Sequence, residues 1–393
     1  MKDSLYIAWK YISHNKVKTI TLVACITIIL FLPVSLEQLL DESEQQLMSR
    51  AEVTPLIVGA KGSALDLVMN TLYFDDELPE FIYMDAAKQV DESNLALSVP
   101  VYIRFKARDF PIIGATLDYF KMRTLMIAEG RSLALLGECV VGAKVAQELE
   151  LTLGSSLISS PESLFDIAGV YPLKMKVVGI LKPTHTSDDL GIFVDLKTTW
   201  IIQGLGHGHQ DVTLLNDSTL IYKRTEKNVT ATPKLFHYNE ITPDNIESFH
   251  FHGDLASYPI TAVIVFPNDD KSETILRGRY LSQEEKLQII KPTEVIDGLL
   301  QNIFRIKNVL DAVIAVVGFA TFLAMILVFA LSLRLRQREI QTIFKLGCRK
   351  GTIVRLLSAE IGIILFTSVG LCTMLVFILA QIDQELVRVL FIK

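Results

Sequence analysis

The chain has 393 residues, 50% of them hydrophobic, and a formal net charge of -6. That apolar share is too high for an ordinary soluble protein, and the acidic balance argues against a nucleic-acid partner. The four cysteines are scattered and none stands in CxxC spacing, which excludes a disulfide scaffold and a zinc-finger framework.

Residues 1–17 place Leu5, Ile7, Ala8 and Ile12 on one helical face bordered by Trp9 and Tyr11. This predicts a cytosolic amphipathic helix lying on the inner leaflet. Residues 18–37 are long and apolar enough to cross a ~30 Å hydrocarbon core. Lys10, Lys16 and Lys18 precede or open this run. Lysine-rich flanks stay inside, so the N-terminus is expected in the cytoplasm and the first transmembrane helix runs outward. The run exceeds the apolar region of a signal peptide and no small-x-small site follows, so an uncleaved anchor is expected.

Residues 38–305 contain no run long enough to span a membrane and predict a large mixed α+β extracytoplasmic domain. A polar helical segment at 36–50 continues the first span outward. Strand-like runs follow at 97–104, 110–114, 138–142, 174–181, 191–195 and 260–266. Helical stretches are expected at 63–73, 143–150, 195–203 and 282–290. Cys139 is the only cysteine in this stretch, so it has no internal disulfide partner. The fragment from Gly59 to Ser63 has the flavour of a phosphate loop but lacks its spacing. No Ser/His/Asp, Cys/His or paired-carboxylate arrangement points to catalysis, and no catalytic residue is assigned.

Residues 306–333 form a second apolar span, and Arg334, Arg336 and Arg338 follow at once. The basic stretch 334–355 is therefore cytosolic. Residues 356–380 cross again, which leaves 381–393 as an extracytoplasmic tail and the C-terminus outside. The fold class expected is an α+β membrane protein, with three transmembrane helices and its extracytoplasmic domain between the first two. Within 334–355, Arg338, Glu339, Ile343, Phe344 and Lys345 make a charged amphipathic helix, which a turn at Gly347 ends before Arg349 and Lys350 lead into the third span. Such a helix under a membrane is either a docking surface or a plain positive loop.

All the histidines except His14 fall in the large polar stretch. His207, His209 and Asp211 make one cluster, and His250 and His252 another. If 250–252 is extended, His250 and His252 share a face. Imidazoles with a carboxylate suit zinc, and His185 or His237 could complete such a site. The other reading is that these are exposed polar loop residues. The spacing does not say whether the two clusters meet.

Several fragments, in their order, resemble one family. The segment 334–365 is similar to the R..E…ALG…I…E pattern of FtsX/MacB-like permeases, the membrane subunits of type VII ABC systems. A short basic amphipathic helix before the first span and a long insertion after it match that family too. So do the stretches 56–63, 66–73, 141–146 and 177–184. Members usually carry four spans, and this chain has three.

The resemblance implies a MacB-like periplasmic core and a bacterial inner-membrane location, in contact with membrane lipid. It implies a separate cytoplasmic ABC ATPase holding ATP-Mg, and a second permease copy, identical or homologous. Arg338, Glu339, Ile343, Phe344, Lys345, Gly347 and Arg349 would then couple to the ATPase. The work done would be export, lipoprotein or lipid extraction, or handling of a metal, with a periplasmic protein as a further partner. No cofactor is expected in the chain itself, apart from zinc if the histidines ligate it. The alternative is a regulatory anchor whose outer domain controls a partner such as a cell-wall hydrolase.

Overall fold

The computed structural model describes residues 2–160, 172–208, 221–224, 229–231, 239–281, 286–335, 337, 341–342, 345 and 350–391. The chain divides into two units, Met1–Gln46 with Gly298–Phe391, and Leu47–Asp297.

The first unit is helical. A short helix, Lys2–His14, is followed by Lys16–Glu52, which belongs here as far as Gln46, and the chain returns in Pro292–Leu335, from Gly298 on, and in Lys350–Phe391. Three of these are long and apolar enough to cross a membrane, over Lys16–Glu52, Pro292–Val328 and Ile353–Leu379. The polar segment expected at 36–50 is the continuation of the first of them. The short helix packs on the Lys350–Phe391 helix and buries Ala8, while Leu5, Ile7 and Trp9 stay exposed.

Small polar residues join the first and third long helices. Thr27 Oγ1 donates to the Ser368 carbonyl (3.3 Å), and Ser368 Oγ to the Val23 carbonyl (3.4 Å). Short side chains let helix backbones approach where no water competes. The buried Glu360 carboxylate accepts from Lys18 Nζ at 3.3 Å. An acid within an apolar helix needs such a partner, because an isolated charge in a low-dielectric medium is costly.

The second unit is built on one sheet. Its strand order is Leu287–Ile290, Leu56–Ala60, Ala262–Pro267, Ala96–Ala107, Phe110–Ala115, Ile192–Asp195, Glu138–Val141, Lys174–Leu181 and Ile127–Gly130. Ser156–Ile158 also pairs with Lys174–Leu181. Neighbours are antiparallel except at two joins, Phe110–Ala115 with Ile192–Asp195 and Glu138–Val141 with Lys174–Leu181. The central strands Ala262–Pro267 and Phe110–Ala115 read as unbroken apolar runs because both faces are covered. Helices Met84–Glu92 and Leu196–Ile202 contribute Ala86, Val90 and Trp200 to that core.

Gly142 explains one of the motif fragments. Its N–H donates to the Gly191 carbonyl (2.9 Å), and an added Cβ would lie 2.3 Å from the Asp189 carbonyl oxygen. Only glycine permits so close a backbone approach.

Two expectations are corrected here. The stretch 282–290 is not a helix where it is described: Leu287–Ile290 is an edge strand paired with Leu56–Ala60, and residues 282–285 lie outside the described residues. The Glu- and Gln-rich composition favours helix, but pairing to a buried neighbour decides the outcome. The run 260–266 is two strands, Pro259–Ile260 and Ala262–Pro267. Thr261 interrupts it, its hydroxyl accepting from Ile103 N–H and donating to the Val101 carbonyl, both at 3.1 Å.

Candidate functional site

The two histidine clusters of the sequence meet in space. Gly206–Gly208 and Phe249–Phe251 form an antiparallel pair in the register Gly206↔Phe251, His207↔His250, Gly208↔Phe249. Side chains alternate across a strand pair, so the two phenylalanines take one face and His207 and His250 the other. Gly206 and Gly208 make room for the rings: a Cβ at either would stand 2.5 Å or 2.7 Å from Phe251 or Phe249. On that apolar face Phe251 packs edge-on to Trp200, with ring centroids 6.3 Å apart, and Trp200 lies 4.7 Å from Tyr258. The Trp200 indole N–H donates to the Pro259 carbonyl (2.8 Å).

On the opposite face stand three imidazoles. Ring centroids are 4.7 Å apart for His207 and His250, 4.8 Å for His250 and His252, and 5.2 Å for His207 and His252. One ring nitrogen from each lies within 4.8 Å of the others. His207 and His250 are half-buried and His252 is exposed. His250 Nδ1 lies 3.0 Å from the Ser248 carbonyl, so Nδ1–H donates there and Nε2 keeps its lone pair. Tyr258 OH donates to the His252 carbonyl (2.8 Å), tying that strand end to the apolar face. His209 and Asp211 lie outside the described residues, as does His237. His185 is not in the cluster; it sits at φ 57° in a turn where its backbone N–H donates to Asp189 Oδ2.

A second polar cluster was invisible in the sequence. Arg50, in the last turn of Lys16–Glu52, makes a bidentate pair with Asp188 (Nη1–Oδ2 2.6 Å, Nη2–Oδ1 2.9 Å). Asp188 belongs to the short 3-10 turn Ser187–Leu190. Tyr119 OH donates to Asp188 Oδ1 (2.8 Å) and accepts from Arg50 Nη2 (3.1 Å). The guanidinium also lies over the Phe74 ring, 5.2 Å from its centroid. Side-chain exposure is 5% for Arg50 and 3% for Asp188, so this pair is shut off from water. No sequence signal marks it, because its members lie on three separate segments.

Burial disfavours the Asp188 carboxylate, but the Arg50 charge and hydrogen bonds from Arg50 and Tyr119 outweigh it and hold the carboxyl below the usual range. Burial first, then the Asp188 charge, pushes the Tyr119 hydroxyl up to about 12. The folded-state value of Asp188 is below its unfolded value, so its stabilisation is complete above the unfolded pKa of about 3.9 and is lost as pH falls through the folded value. The denaturation midpoint of the purified chain should therefore fall below about pH 4. Asp188→Asn should flatten that fall; an equally steep acid limb in the variant would contradict the assignment. Cys139, by contrast, is no nucleophile, because burial raises its thiol to about 12.

Among the expected coupling residues, Lys345 is helical and exposed, while Arg338, Glu339, Ile343, Phe344, Gly347 and Arg349 lie outside the described residues.

Residues 20–232 match the sequence profile of the MacB-like periplasmic core domain. The chain belongs to the FtsX/MacB-like ABC transporter permease family. Solved structures that the chain is similar to include the periplasmic region of MacB from Actinobacillus actinomycetemcomitans, at 12% identity over 66% of this chain and 99% of that one, with a TM-score of 0.36. The extracellular domain of the noncanonic ABC-type transporter YknZ from Gram-positive bacteria is 13% identical over 60% of this chain and 98% of that one, with a TM-score of 0.31. At such scores the family assignment rests on the sequence match. No curated protein matches the chain. The family is one of transporter permease components, and with three helices apolar enough to span, this member is a membrane protein.

Proposed function

We propose that this chain is the permease subunit of an ABC system in a bacterial inner membrane, coupling ATP hydrolysis by a separate cytoplasmic subunit to movement of its sheet domain in the periplasm. Family membership supports an ATPase partner. The order of segments supports the topology: cytosolic 1–17, spans at 18–37, 306–333 and 356–380, the domain 38–305 outside, 334–355 inside and 381–393 outside. A second permease copy would complete the assembly.

The observation that carries the mechanical part is the Arg50–Asp188 clamp. Within the sheet domain it fastens Arg50, on the last turn of Lys16–Glu52, to the turn Ser187–Leu190 through two charge-assisted hydrogen bonds. A displacement of that helix end is thereby passed to the domain rather than lost in a slack joint. The spanning segments carry few charges, which fits work delivered across the membrane better than a polar conduit through it.

The test has two arms. Tagged chain purified from native membranes should bring an ABC ATPase in near-equal amount. In the reconstituted complex, Glu339→Ala with Phe344→Ala should leave ATP hydrolysis running while abolishing the ATP-dependent change in Trp200 fluorescence. Recovery of a cell-wall hydrolase and no ATPase would replace this reading with that of a regulatory anchor. An intact fluorescence response in the double variant would remove the coupling role of that segment.

A further inference from the structure

We propose that His207, His250 and His252 form a binding site for a first-row divalent transition metal of the zinc class. The inference stands on the geometry of the hairpin and does not depend on the transporter reading.

Three features point to ligation rather than to incidental polar packing. The cross-strand pair His207↔His250 and the i, i+2 pair His250/His252 bring three imidazoles to one face from two strands. Phe251 packs on the other face against Trp200 and Tyr258, and Phe249 packs against the core there, so the imidazole face is not needed for the core. Lastly, His250 is already oriented: its Nδ1–H is taken by the Ser248 carbonyl, which leaves Nε2 as the ligating atom. A carbonyl on the far ring nitrogen is the usual support of a metal-bound imidazole.

Zinc–nitrogen bonds of about 2.0–2.1 Å in a tetrahedral site require the ligand atoms to close to roughly 3.4 Å of one another. Nitrogens now within 4.8 Å reach that by modest side-chain rotation about fixed strands. Three neutral imidazoles leave the dication's charge uncompensated and its fourth position open to water, an anion or a ligand from another molecule. Sites with three protein ligands and one open position exchange or react, whereas closed four-ligand sites are structural. With His252 exposed, metal can enter from solvent. Imidazole donors select zinc, copper or nickel over magnesium and calcium, which prefer oxygen.

The experiment uses the full chain in detergent, stripped with a chelator and titrated with zinc against a chromophoric competitor. Wild type should bind one equivalent. His207→Ala, His250→Ala and His252→Ala should each weaken binding by ~10-fold or more, at least the effect of losing an outer-shell partner. His185→Ala should bind as wild type does. Cobalt in place of zinc should give the visible bands of a tetrahedral site, absent in the triple alanine variant. Zinc binding in the triple variant equal to wild type, or none in wild type, would overturn the proposal. His252→Gln, at the exposed strand end, keeps the test open if an alanine variant loses its fold by circular dichroism: retained wild-type affinity there would likewise count against the site. ATPase co-purification is unaffected by any of these results, so failure here is distinguishable from failure of the permease reading.

Discussion

Asp188→Ala should destabilise the sheet domain by about 3–5 kcal/mol, the usual cost of leaving one member of a buried ion pair alone. The reason is asymmetric. Arg50 carries a charge that cannot be shed under ordinary conditions, and in the variant it would be left against Phe74 and the Tyr119 hydroxyl without its carboxylate partner. Arg50→Ala is expected to cost less than Asp188→Ala, because Asp188 can take up a proton and keep its hydrogen bonds to Tyr119 and Thr186. Arg50→Leu combined with Asp188→Leu should recover much of the loss, since apolar replacement of a buried pair is often near neutral. Guanidinium titration of the detergent-solubilised chain, followed by Trp200 fluorescence in a Trp9→Phe background, measures all three variants. A loss below about 1 kcal/mol for Asp188→Ala would mean that the pair is hydrated in solution.

Trp200→Ala should be comparably severe, at about 3–5 kcal/mol, the range for removing a large buried aromatic. Trp200 is 2% exposed and holds three things together: the Tyr258 ring, the Phe251 ring and the Pro259 carbonyl. Its loss opens a cavity beneath the very hairpin that carries the imidazoles. The variant should therefore lose zinc affinity as well as stability, although the indole touches none of the three histidines on their ligating face. Trp200→Phe keeps the stacking and leaves only the Pro259 carbonyl unmatched, a cost of about 1–3 kcal/mol. Circular dichroism melts and zinc titration of both variants separate the two effects; zinc affinity retained in a folded Trp200→Ala chain would show that the hairpin needs no support from below.

Much of this organisation is legible from pattern alone. Long apolar runs need no context, and strands such as Phe110–Ala115 and Lys174–Leu181 declare themselves because they are apolar and β-branched enough to be buried in a sheet. What pattern misses is set by partners. Leu287–Ile290 becomes a strand because Leu56–Ala60 offers an open edge. Ile127–Gly130 and Ser156–Ile158 are short and half polar, and exist as strands by pairing with Lys174–Leu181. The histidine clusters could be seen as clusters, and extended geometry puts His250 and His252 on one face. Their union with His207 depends on the register of a strand pair whose members are more than forty positions apart, and no local rule supplies that. Arg50, Tyr119 and Asp188 are the extreme case: each is unremarkable in its own segment, and the chemistry exists only in the assembled domain.

The pairing of Leu56–Ala60 with Leu287–Ile290 bears on how the domain responds to force. Ile57 faces Ile290 and Ala60 faces Leu287, so the chain enters and leaves the sheet at the same end, on adjacent strands. Pulled in the same direction, the two leads move the sheet without loading the bonds between them. Pulled apart, they break the ladder one rung at a time, from Ile57–Ile290 inward, which is the weak direction for an antiparallel pair. Under the proposed function, a push or pull shared by both leads would carry the domain as one piece, whereas a lateral split would open this pair. In a force-spectroscopy experiment, opposed tension on the two leads should unfasten the Leu287–Ile290 strand well before the central strands give way.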